Sequence, residues 1–138
     1  MLKNSAVLSL LPLSMLCLAP AARATTPAEV LATLQQQAAA ETAGFAGFDA
    51  ARGEQFFKTK HSDWSCASCH TEDPRQPGKH AKTDKPIDPL APAANAKRFT
   101  DPKKVAKWFK RNCGDVLGRE CSAQEKGDVL SYLIGLKP

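Results

Sequence analysis

Cys66, Cys69 and His70 lie in the run Cys66-Ala67-Ser68-Cys69-His70. Two intervening residues let one helical turn present both thiols together, and an imidazole follows at once. Three chemistries use such a group. A zinc knuckle needs more cysteine or histidine ligands at matched spacing, and no second C-x-x-C follows. A thioredoxin-like redox pair sits between a strand and a helix, and no βαβ pattern surrounds this one. The third is thioether attachment of a haem. The thiols reach the two vinyl groups on one edge of the porphyrin, and the histidine swings beneath the ring to meet the iron. The residues favour this reading: one covalent haem c on Cys66 and Cys69, with His70 as the proximal ligand.

The N-terminus names the compartment for that chemistry. Met1 to Asn4 is a short basic stretch, and Ala6 to Leu18 is an apolar run of about a dozen residues. Such a run fits a signal segment and is too short to span a bilayer. Ala22-Arg23-Ala24 offers small residues for cleavage. The expected organisation is a cleaved signal peptide over residues 1–24 and a single domain over 25–138. Cys17 follows Leu16, which is too large for lipoprotein processing, so Cys17 is expected to leave with the signal. Export implies a periplasmic location, where disulfides persist. It also removes Met1 and Met15, the only methionines. The usual sixth ligand of an electron-transfer cytochrome c is thus missing from the mature chain.

About 114 residues remain, a thin core that a haem would thicken. The net charge of +5 drops to about +3 when Lys3 and Arg23 leave. That is no nucleic-acid-scale excess. The lysines between Lys79 and Lys110 read as a solvated face that suits an acidic redox partner.

The positioning elements read as helices. Thr26, Pro27 and Glu29 form a capping box and first turn for a helix carrying Val30, Leu31, Leu34 and Ala38. This helix reads as an accessory to the core, ended by Gly44 and Gly47. Asp49 caps a second helix to about Lys58, with Gly53, Phe56 and Phe57 on one side. From Thr71 to Phe99, Pro74, Pro77, Pro86, Pro89 and Pro92 forbid long helix or central strand. A stretch of this length is expected to wrap something, with Ile87 and Leu90 as apolar anchors. A carbonyl of Pro86 or Pro89 is a candidate acceptor for the His70 Nδ1–H.

Asp101 and Pro102 open another helix, in which Val105, Trp108, Phe109 and Asn112 share a stripe. Gly114 is expected to end it. Ser122 and Glu125 form a capping box for a last helix to about Gly135. Val129, Leu130, Tyr132, Leu133 and Leu136 form its apolar side, and Val129 and Tyr132 are expected to meet Gly53 and Phe57. Cys113 and Cys121 remain after the haem pair is assigned, and after export they are expected to form a disulfide. Taken from its own surroundings, Asn112 reads as a helix-end polar residue.

These motifs together resemble the sphaeroides haem protein family. The residues that carry the resemblance are Cys66 to His70, Pro86 to Pro92, Arg98-Phe99-Thr100-Asp101, Val105-Ala106-Lys107-Trp108, and Arg111-Asn112-Cys113 with Gly118-Arg119-Glu120-Cys121. The resemblance runs from about Ala51 to Leu136. It implies an all-α, class I cytochrome c-like fold around one haem, here with an extra N-terminal helix. It implies that Asn112 ligates ferric iron, leaves on reduction and opens a site for O2, NO or CO, with Trp108 and Phe109 lining the pocket. A dihaem cytochrome c and a membrane cytochrome b are the implied redox partners. An amide oxygen is a hard, weak donor, which agrees with a ligand that holds ferric iron better than ferrous.

Two other functions compete. A plain carrier with two histidine ligands would draw on His61 or His80, the remaining histidines. His61 lies just before the motif and His80 among lysines. A small haem oxidase or peroxidase is the third, although no distal acid–base pair is evident.

Overall fold

The computed structural model describes residues 24–138, so the expected signal segment through Arg23, with Cys17 and both methionines, lies outside the described residues. The elements in chain order are α1 (Pro27–Glu41), α2 (Ala50–Lys58), α3 (Ala67–His70), β1 (Gly78–Lys79), β2 (Pro86–Ile87), α4 (Pro102–Leu117) and α5 (Ala123–Gly135). The two short strands pair antiparallel, Gly78 opposite Ile87 and Lys79 opposite Pro86. The architecture is all-α around this one hairpin. Among the described residues no helix is long and apolar enough to cross a membrane.

Helix starts follow local chemistry. The Thr26 hydroxyl accepts from the Glu29 N–H at 3.2 Å, and the Glu29 carboxylate accepts from the Thr26 N–H at 2.7 Å. Ser122 and Glu125 repeat that box at 3.1 and 2.8 Å on α5. Asp49 and Asp101 accept from the N–H groups of Arg52 and Lys104. Each cap satisfies donors that the first helical turn leaves without partners. The end of α4 differs from expectation. The helix passes through Gly114 and stops at Gly118, whose φ of 69° is the left-handed conformation a glycine cap supplies.

α2 crosses α5 at Gly53, where a Cβ would collide with the backbone of Asp128 and Val129. That close approach brings the Phe57 and Tyr132 rings to 5.7 Å, and Phe57, Ala67, Val129, Tyr132 and Leu133 form one core cluster. Val30 and Leu34 of α1 form a second cluster with Leu130 of α5. The Glu41 carboxylate at the end of α1 accepts from the Ala123 N–H at 3.0 Å, fastening it to the start of α5. α1 therefore builds part of the core rather than decorating it. Phe99 packs against both clusters at a φ of 59°, an uncommon backbone state for a bulky side chain.

A buried carboxylate locks α2 to α5. Asp128 accepts from the Asp49 N–H at 2.8 Å and from Nε and Nη2 of Arg52. The same aspartate thus serves the cap of α2 and holds a guanidinium fork.

Candidate functional site

The turn that carries the two thiols is built by a pair of serines. Ser65 N–H donates to the Ser68 hydroxyl at 2.9 Å, and Ser68 N–H donates to the Ser65 hydroxyl at 3.1 Å. The His70 N–H reaches the Cys66 carbonyl at 3.0 Å and closes one turn of helix. Thr71 then leaves at a φ of 64°, with its hydroxyl on the Asp73 carbonyl at 2.6 Å. The hairpin lies directly on this turn. A Cβ at Gly78 would collide with the Cys69 carbonyl, and the Ala81 N–H donates to Cys69 Sγ at 3.3 Å.

Cys66 and Cys69 are free thiols, half-buried, and Cys66 packs against the cluster of Phe57 and Ala67. Burial pushes the Cys66 thiol up to about 11. Burial, then the nearby charge of Arg98, pushes His70 down to about 4, so its imidazole is neutral at ordinary pH. A metal-ligating histidine must be in that form. The His70 ring sits 6.4 Å from Phe57, and its Nδ1 is buried without a hydrogen-bond partner. Neither proline carbonyl meets it here. The Pro89 carbonyl accepts from Arg98 Nε at 2.8 Å and from Asn95 Nδ2 at 3.4 Å. The donor set fits a covalent haem: two thiols left unbridged on one turn, and a neutral imidazole with an orphaned buried nitrogen. Among the described residues no three His, Cys, Asp or Glu side chains gather as a metal cluster would require, so a zinc knuckle lacks its ligands.

The Pro-rich stretch turns back under α3. Leu90 and Ala91 donate their N–H groups to the Pro74 carbonyl at 2.8 and 2.9 Å, and Leu90 packs against the cluster that holds Cys66.

α4 is anchored at its C-terminal half. The disulfide Cys113–Cys121, with Cα atoms 5.7 Å apart, ties it to the segment before α5. The Ser62 hydroxyl, four residues before Cys66, donates to the Val116 carbonyl at 3.2 Å. Phe109 packs into the same cluster as Cys66 and Phe57. Trp108 and Asn112 are exposed on α4, one turn apart. Trp108 is 49% exposed with the Arg111 guanidinium 5.7 Å from its ring, and no described residue hydrogen-bonds the Asn112 side chain. The structure therefore gathers Cys66, His70 and Phe109 around one cluster, with Cys69 on the same turn under the hairpin, and sets Trp108 and Asn112 on the open side of a helix anchored to it.

The other histidines are committed locally. His61 stacks on Phe56 at 4.6 Å with Nε2 3.2 Å from the Phe56 carbonyl. His80 accepts the Lys82 N–H at 3.3 Å within the hairpin turn. The Ser65–Ser68 pair and Arg98 were not singled out from the sequence as parts of the site. S-x-x-S across the first cysteine is the local signal for the former, whereas Arg98 bonds backbone nine and ten residues away, which no local pattern shows.

Residues 43–133 match the family described as "Domain of unknown function (DUF1924)". The chain is 40% identical to "Cytochrome c-type protein SHP" of Cereibacter sphaeroides over 114 residues, 79% of this chain and 83% of that protein. It is 45% identical to "Cytochrome c''" of Methylophilus methylotrophus over 87 residues, 59% of this chain and 60% of that protein, under two thirds of its length. The structure of oxidised SHP, an oxygen-binding cytochrome c, superposes with a TM-score of 0.73 at 37% identity, covering 83% of this chain and all of that one. The solution structure of Methylophilus methylotrophus cytochrome c'', a study of haem-ligand detachment, superposes with a TM-score of 0.73 at 34% identity, covering 81% and 94%. The helices, α1 among them, thus share the class I-like arrangement of these proteins. Sequence match, fold and donor set converge: the chain belongs to the DUF1924 family and is an SHP-like monohaem cytochrome with one covalent haem c.

Proposed function

We propose that the mature chain, residues 25–138, is a periplasmic redox cytochrome whose sixth ligand is an asparagine that gates small-molecule access. Cys66 and Cys69 hold the haem, and His70 is its proximal ligand. Bound there, the haem supplies a one-electron iron centre. Asn112 offers its amide oxygen to the ferric state and withdraws on reduction, which admits O2, NO or CO. Phe109 and Trp108 shape the side of the pocket through which such a ligand enters. Electrons are exchanged with partner haem proteins, a dihaem cytochrome c and a membrane cytochrome b.

The observation that carries the reading is Asn112 itself. It stands exposed with no hydrogen-bonded side-chain partner among the described residues, on a helix that Phe109, Ser62 and the disulfide anchor beside the thiol turn. A neutral oxygen donor binds ferrous iron weakly, so loss of one positive charge from the metal favours its release. The relatives support the same direction, since SHP binds oxygen and cytochrome c'' has been studied for haem-ligand detachment.

The test compares wild type, Asn112→Val and His80→Ala by absorption spectroscopy and carbon monoxide titration. Wild type should be high-spin when ferrous and bind carbon monoxide rapidly, and Asn112→Val should have lost the sixth ligand when ferric. An unchanged ferric spectrum in Asn112→Val, with loss of the ligand in His80→Ala, would transfer the role to His80 and make the protein a plain carrier. Mass spectrometry of the exported protein should show one haem added and residues 1–24 removed.

A further inference from the structure

We propose that the tip of the β1–β2 hairpin, residues 79–85, is the surface on which this cytochrome docks an acidic one-electron redox protein. The proposal deepens the reading of partner haem proteins given above. It rests on haem attachment at Cys69 and is independent of the identity of the sixth ligand.

The tip is a fixed turn. The His80 N–H donates to the Lys85 carbonyl at 2.9 Å, and the His80 carbonyl accepts from the N–H groups of Thr83 and Asp84 at 3.2 and 2.9 Å. The Lys82 N–H donates to His80 Nδ1 at 3.3 Å. Asp84 bends the chain at a φ of 56°, a left-handed state that aspartate visits more readily than most residues. Within these seven residues three lysines stand against one aspartate. Lys79, Lys82 and Lys85 are all exposed, while His80 and Ala81 are half-buried. Lys79 pairs with Asp84 at 3.0 Å, so Lys82 and Lys85 carry the excess charge of the turn.

The same turn touches the attachment point. Ala81, next to Lys82, donates its N–H to Cys69 Sγ at 3.3 Å, and Gly78 lies against the Cys69 carbonyl. In a porphyrin of this type the vinyl groups and the propionates occupy opposite edges. Lysines held at the Cys69 sulfur therefore belong to the vinyl edge, away from the haem's own carboxylates.

A cluster of like charge draws an oppositely charged surface and orients it before contact. A partner seated on this turn stands one residue of backbone away from a sulfur bonded to the porphyrin, which shortens the gap an electron must cross. One electron passes between the partner's cofactor and the haem iron, one being oxidised as the other is reduced, and no bond is made or broken. α4 supplies the contrast. Lys103 and Lys107 are also exposed, yet among the described residues no hydrogen bond joins α4 to either thiol.

The experiment is stopped-flow reduction of the haem-loaded protein by flavodoxin hydroquinone, an acidic protein that gives up one electron, at low and high ionic strength. The wild-type rate constant should fall as salt rises. Lys82→Glu combined with Lys85→Glu should lower the low-salt rate by roughly tenfold or more and meet wild type at high salt. Lys103→Glu combined with Lys107→Glu makes the same change in net charge and should lose far less. Absorption spectra of both variants should match wild type. An equal loss in the two pairs would overturn the proposal, because net charge alone would then be acting. Carbodiimide coupling should join flavodoxin carboxylates to Lys79, Lys82 or Lys85, and couplings confined to α4 would move the surface there. If the hairpin pair instead abolishes binding to phosphatidylglycerol vesicles and leaves the flavodoxin rates unchanged, the tip is a membrane contact and the proposal is wrong. Failure of the underlying reading has a different signature: wild type would show no covalent haem spectrum to follow.

Discussion

Glu125 shows how much one side chain can hold at the residue scale. Its carboxylate accepts from the Ser122 N–H and from two nitrogens of Arg119, so it closes the cap of α5 and fastens the loop before it. The Arg119 guanidinium beside it holds its carboxyl below the ordinary value of 4.5. A depressed carboxylate stabilises the fold above its unfolded value, and that contribution is lost as pH falls through the folded one. Thermal melts between pH 6 and pH 3 should therefore show an acid loss in wild type that is shallower in Glu125→Gln. The variant should also melt lower at pH 6. Equal acid slopes in the two proteins would remove Glu125 from the account. The capping role was readable from Ser122-x-x-Glu125, because a box is a contact three residues long. The Arg119 fork is six residues away, outside the span of the box, and the Arg52–Asp128 lock joins residues 76 apart, so neither leaves a local trace.

Among the elements, α4 is the one whose placement matters most. Its start was legible, since Asp101 and Pro102 are cap and first turn. Its end was not. Gly114 invited a stop, yet a Cβ there would meet nothing and the helix runs on for three more residues. A glycine weakens a helix interior but ends a helix only where the chain needs a left-handed turn, and Gly118 provides it. The difference sets Cys113 inside the last two turns, so the disulfide grips the helix body beside Asn112 rather than a fraying tip. Replacing Cys113 and Cys121 together by serine should lower unfolding free energy by roughly 2–3 kcal/mol from loop closure, measured by guanidinium denaturation. Alkylation of denatured, unreduced wild type should label neither cysteine. The hairpin was the least legible element, because two strands of two residues inside a proline-rich stretch carry no periodicity. What singles out Gly78 is its contact with the Cys69 carbonyl, which is purely tertiary.

For the whole molecule, the fold divides into two apolar clusters that meet along α5. One holds the thiol turn through Phe57, Ala67 and Tyr132, and the other holds α1 through Val30 and Leu34. The alternation of Val129, Leu130, Tyr132 and Leu133 made α5 recognisable as buried. It could not say that opposite sides of the helix serve different partners, so α1 read as an appendage. Leu34→Ala should cost about 2–4 kcal/mol of stability, the range for a buried leucine truncated beside incomplete collapse. The ferric absorption spectrum should not change, because Leu34 lies in the cluster remote from the thiol turn. A spectral change equal to that of a site variant would mean that the two clusters act as one.

The hairpin that lies over α3 also makes the second thiol part of a longer run of chain. Gly78 lies against the Cys69 carbonyl and the Ala81 N–H donates to Cys69 Sγ. The segment that follows is tied back to Pro74 by two further hydrogen bonds. The second thiol is thus wired by backbone contacts to a stretch that ends on the Pro74 carbonyl, so a change anywhere along that stretch reaches Cys69 without touching the thiol turn itself.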